Sequence, residues 1–200
     1  MDEPTDTITI RMQKSQIDEL KKISKTKNIS LNTFVIQLFR HYLEIERVYE
    51  KFDWVKVSRT TLAVALKKLS YDEITLIGKN IALEFGIDFI LVKWGDISEQ
   101  NILEFIKIYF KENSWGNCKI FLESNGVIIS IQHKMGKKAS KLFSVLIETL
   151  FENQLKKKTT SKLTESLVSV FIQQNPNEKI ISLVPKDIRY TWYKSEISQN

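Results

Sequence analysis

The chain has 200 residues, 42% hydrophobic and 27% charged, with thirty Lys/Arg against twenty-four Asp/Glu and a single cysteine. That composition can build a core, either as one medium domain or as two small ones, and it excludes an intramolecular disulfide framework. A net charge of +6 and a pI near 9.2 fit a polyanionic partner without specifying one.

The opening MDEPTD is acidic with no apolar run behind it, and the most apolar stretch, FGIDFILVKWG, carries Asp88 and Lys93. The expectation is a cytoplasmic protein with no membrane association. A glycine-rich phosphate loop, a nucleophile elbow and an HExxH motif are all missing, so an enzyme is not expected, nor a cofactor.

In chain order, TITIRM (Thr7 to Met12) alternates polar and apolar residues, the pattern of a strand. Gln13 to Lys27 places Ile17, Leu20 and Ile23 on one narrow helical edge. The turn KTKNIS follows, where Asn28 tolerates a left-handed backbone and Ser30 can cap the next helix. There Leu31, Phe34, Val35, Leu38, Tyr42 and Leu43 fall at i, i+3, i+4, i+7, i+11 and i+12, with Phe39 widening the stripe. A unit ending near Arg47 is too small to bury these faces alone. It has no cysteine ligands, so an obligate homodimer is expected.

After the connector VYEKFDWVK, Ser58 caps RTTLAVALKKL, and Ser70 with Glu73 makes a capping box for the following helix. Ile87 to Trp94 reads equally as buried strand or helix. Asp96 with Glu99 is expected to cap a helix running to about Asn113. CKIFLESNGVIISIQH is a hairpin signal with Asn125-Gly126 as a type I′ turn. A helix is predicted from about Lys138 to Leu155, apolar at Leu142, Phe143, Val145, Leu146, Leu150 and Phe151. The lysine-rich spacer KKKTTSK then leads into two strands, SLVSVFI and KIISLV. Trp54, Trp94 and Trp115 are assigned to core or interface.

The stretch from TITIRM through KNIS to SLNTFVIQLFRHYLE resembles the ribbon-helix-helix (Arc/MetJ/CopG-type) DNA-binding family over the N-terminal quarter, with Gln13 where many members carry proline. The implied fold class is α+β: an N-terminal ribbon-helix-helix (β-α-α, intertwined dimer), then a mixed α+β domain with an antiparallel sheet. The resemblance implies 1–47 for DNA binding, and the residue patterns beyond it give 48–69 as a helical connector, 70–188 for assembly or sensing, and 189–200 as a tail. Two copies of Thr7–Met12 would pair across a two-fold axis. Thr7, Thr9 and Arg11 would then face base edges in the major groove of double-stranded DNA, while Lys27, Ser30, Leu31 and Asn32 would hold a phosphate at the start of the second helix.

The implied function is a sequence-specific transcriptional regulator, in the first instance a repressor, with tetramers and an unknown effector or protein partner left open. The alternatives are an antitoxin that binds its toxin through the C-terminal part, and a dimeric interaction module independent of DNA. A two-residue turn at Asn125-Gly126 sets Cys118 opposite His133, half of a soft-metal site. With no further ligands nearby, a structural thiol beside a histidine at the sheet rim is favoured. The lysines of KMGKKASK and KKKTTSK are candidates for a second electrostatic contact with DNA, weighed against ordinary solvated loops.

Overall fold

The computed structural model describes residues 6–174, and the chain separates into two compact units, one through Asp53 and one from Trp54. The predicted strand KIISLV and the tail lie outside the described residues. The fold is mixed α and β, with a four-stranded antiparallel sheet.

The first unit begins with α1 (Lys14–Thr26) and α2 (Leu31–His41). Asn28 adopts φ 54°, and the N–H of Ile29 returns to the Ser24 carbonyl at 3.1 Å while that of Asn28 returns to Lys25 at 3.0 Å. This left-handed cap ends α1 and turns the chain. Ser30 then caps α2 by accepting the Thr33 N–H at 3.0 Å. The helix runs on past the expected end at Arg47, through a π-helical turn, Tyr42–Glu46, into α3 (Arg47–Glu50). The wider turn aligns residues five apart and sets His41 Nε2 3.2 Å from Glu46 Oε1.

In the second unit, Ser58 caps α4 (Arg59–Lys68), and Ser70 caps α5 (Tyr71–Asn80). The Ser70 N–H donates to Glu73 Oε2 at 2.6 Å, completing the capping box and holding that carboxyl below its ordinary range. The π-helical stretch Ile81–Gly86 carries α5 into α6 (Ile87–Trp94), so the ambiguous apolar run is helix. Gly95, at φ 83°, ends it.

Helix α7 (Glu99–Glu112) is capped by Ser98 rather than by Asp96 with Glu99. Ser98 stands immediately before the first helical residue and accepts the Asn101 N–H, while Asp96 receives the Asn101 side chain. Helix α8 (Lys137–Thr149) continues through a π turn, Leu150–Gln154, and buries all six predicted apolar residues.

The sheet runs β1-β2-β4-β3, with β1 Asn117–Glu123, β2 Gly126–Gln132, β3 Thr159–Leu163 and β4 Leu167–Gln173. The TTSKL end of the supposed spacer is therefore an edge strand, held by β4. Val127, Ile129, Ile131, Val168, Val170 and Ile172 are fully buried on the helix side of the sheet. Helix α8 packs on β3 and β4 on one side and on α5 on the other, while α7 meets β1. Trp54, Phe85, Phe105 and Tyr109 form an aromatic cluster, with Trp54 and Phe85 stacked at 4.4 Å. Trp115 is buried and its Nε1–H reaches the Val57 carbonyl. No helix among the described residues is long and apolar enough to cross a membrane.

Candidate nucleic-acid interface

Thr7, Thr9 and Arg11 lie in the extended segment ahead of α1 and are exposed. Among the described residues no strand includes or pairs with Thr7–Met12, so the element order of the single chain starts with a helix. A strand exists only by hydrogen bonding to a neighbour, and the described residues of one copy offer none there. The apolar residues of the segment are left in water, with Ile8 85% exposed.

Helix α2 shows the same mismatch between sequence pattern and burial. Phe34 is buried, but Leu38, Phe39, Tyr42 and Leu43 are exposed, Leu43 at 55%. The predicted stripe is helical, yet more than half of it stays exposed among the described residues.

At the start of α2 the Ser30 hydroxyl is taken by Thr33, through the N–H at 3.0 Å and Oγ1 at 2.8 Å. The N–H groups of Leu31 and Asn32 are the first donors of the helix, where intrahelical acceptors are lacking. Lys27 and Asn32 are exposed, and Leu31 is half-buried. The geometry therefore leaves the N–H groups of Leu31 and Asn32 without intrahelical acceptors and engages Ser30 as a structural cap.

The Cys118–His133 pair does not form. The loop residues are Ser124 and Asn125, neither with positive φ, so the turn is not type I′. Gly126 belongs to β2 instead, and a Cβ there would stand 2.2 Å from the Ile172 carbonyl oxygen. The glycine serves close strand approach, and Cys118 lies opposite Ile131. Register moved by two residues, which preserves the face but changes the partner.

His133 is buried rather than at a rim. Its Nδ1 accepts the Met135 N–H at 3.2 Å, which places the proton on Nε2, 2.9 Å from Ser140 Oγ. Ser140 passes the chain on to the Thr164 carbonyl at 2.6 Å. Burial lowers the pKa of this imidazole and pushes the Cys118 thiol up to about 12. Both ring nitrogens of His133 are engaged within the protein, and Cys118 faces Ile131 rather than this histidine.

The lysine runs divide the same way. Lys138 donates to the carbonyls of Lys67 and Leu69, closing the end of α4. Lys157 is buried, 2.5 Å from Glu99 Oε2 and 2.7 Å from Gln174 Oε1. The first N–H of α8, on Lys137, is taken by the Glu165 carboxylate at 2.9 Å. Lys156 donates to the Asn153 carbonyl at 2.9 Å, so the fold engages the side chains of three of these lysines internally.

No protein-family model, curated protein or solved structure matches this chain. Its function rests on its own residues.

Proposed function

We propose that the chain is a homodimeric DNA-binding regulator whose first unit is a ribbon-helix-helix. The observation that carries this reading is the uncovered apolar surface of that unit: Ile8, Ile10 and Met12 in the extended segment, with Leu38, Phe39, Tyr42 and Leu43 on α2 and the turn after it, all exposed. Apolar surface of this extent calls for a partner. A second copy pairing its own Thr7–Met12 antiparallel would cover the three aliphatic side chains and turn Thr7, Thr9 and Arg11 outward together. Arg11 would donate to guanine O6 and N7, and the N–H groups of Leu31 and Asn32 would hold a phosphate. The outcome is repression of a promoter carrying a two-fold symmetric site.

Within residues 1–53, nine Lys/Arg face nine Asp/Glu, a net charge of zero. That balance favours a second reading, in which the ribbon serves only as a dimer interface.

Selection of bound sites from random duplexes separates the two. The regulator yields a two-fold symmetric motif whose binding weakens steeply with salt. Arg11→Ala then loses the sequence preference and keeps the dimer mass by light scattering. A monomeric wild-type protein, or a dimer with no salt-sensitive duplex binding, refutes the regulator.

A further inference from the structure

The sheet has a second face, opposite the one buried under α7 and α8. Strand pairing sets Phe121, Ile128, Phe171 and Thr160 in one row across all four strands of that face. The next row is Lys119, Ser130, Ser169 and Lys162. Phe121 is 37% exposed, Ile128 and Phe171 are half-buried, and Thr160, Lys119 and Lys162 are exposed. Phe171 has a built seat: its ring atoms come within 2.6 and 2.7 Å of where a Gly126 Cβ would stand, so the absence of that side chain lets the ring lie against β2.

We propose that this face binds single-stranded nucleic acid. Phe121 and Phe171 would stack bases, and Lys119 and Lys162 would neutralise phosphates at the two edges of the sheet. The two rings stand two strands apart, about 10 Å, and the two lysines three strands apart, about 14 Å, from the usual strand spacing. On its other side the aromatic row is flanked by Glu123, Gly126 and Gln173, so the cations lie along one side of it. Aromatic rings beside such a lysine row take unpaired bases, whose faces are open, and reject a duplex, whose faces are already stacked. The centre of a protein–protein interface is depleted of lysine, whereas here a Lys–Ser–Ser–Lys row runs directly beside the aromatics.

Charge follows the same division. Residues 54–174 carry seventeen Lys/Arg against twelve Asp/Glu, a net +5, so most of the chain's positive charge lies in this unit. The site is independent of the duplex reading for the first unit.

The test is fluorescence anisotropy of the full chain with labelled oligothymidylate and oligouridylate of about 12 nucleotides, a length within the range one such sheet covers. Phe121→Ala and Phe171→Ala are each expected to weaken binding about tenfold, and Phe121→Trp to retain it. Lys119→Glu with Lys162→Glu is expected to weaken binding and flatten its dependence on salt. Arg11→Ala leaves single-strand binding unchanged, which distinguishes this site from the ribbon. The proposal is overturned if neither oligonucleotide binds, or if the alanine variants bind as the wild type does. It is equally overturned if those variants lower the melting temperature or the oligomeric mass while affinity stays the same, because the face then packs against protein.

Discussion

Lys157→Met probes the second unit most directly. Lys157 is 6% and Glu99 8% exposed, and the Lys157 ammonium lies 2.5 Å from Glu99 Oε2. Gln174 accepts from the same ammonium, and its own N–H reaches Glu99 Oε2 at a long 3.4 Å. The other carboxylate oxygen, Oε1, already has no hydrogen-bond partner. Methionine keeps most of the lysine stem but removes the cation, leaving a carboxylate that water cannot reach and one weak amide contact. Breaking a buried pair in this way costs about 3–5 kcal/mol. Glu99→Met removes the counter-charge of a buried ammonium, which keeps its Gln174 contact, and costs a similar amount.

The double variant removes both charges, so the pair's attraction and its desolvation penalty vanish together. Only the Gln174 amide is left short of partners, at about 1–3 kcal/mol. The double variant should therefore lose no more than either single one. Urea unfolding followed by tryptophan fluorescence reads this cycle, since all four tryptophans stand at position 54 or beyond. A single substitution costing under about 1 kcal/mol, or a double costing the sum of the singles, refutes the assignment of Lys157 and Glu99 as a mutually dependent buried pair.

Gly126→Ala should destabilise the chain by at least about 2 kcal/mol in the same urea assay, since its Cβ would meet the Ile172 carbonyl at 2.2 Å and force β2 from β4. Cys118, with its pKa raised to about 12 by burial, should react with a disulfide reagent at pH 8 about a thousandfold more slowly than the unfolded chain. The folded state holds that proton more tightly, so the thiol's contribution to stability is intact below pH 9 and is lost as pH rises toward 12. His133 has the opposite sign: its folded pKa lies below 6.5, so its contribution is present above pH 6.5 and falls as pH drops below it. His133→Asn should flatten the acid limb of stability below about pH 6.5.

Local chemistry was enough for much of the helical architecture. Ser30, Ser58 and Ser70 act on an N–H three residues ahead, and Asn28 supplies its left-handed turn without reference to anything distant. The six apolar positions of α8 show their face through spacing alone. Where two local candidates compete, as Asp96 and Ser98 do, the outcome depends on which residue stays extended at the helix boundary, and residue type did not reveal it. Glu99, expected as a cap, is the partner of a lysine 58 positions away.

The hairpin register, the strand at TTSKL and the roles of the lysines had no short-range signature. Asn-Gly reads locally as a turn, but the residue that crowds Gly126 in β2 is Ile172, forty-six positions later. Thr159–Leu163 became a strand because β4 offered hydrogen bonds, not because of its composition. Helix starts and apolar periodicity depend on atoms a few residues apart, so sequence determines them directly. Register, edge strands and ion pairs depend on which distant segments the core brings together, and those only the folded chain decides.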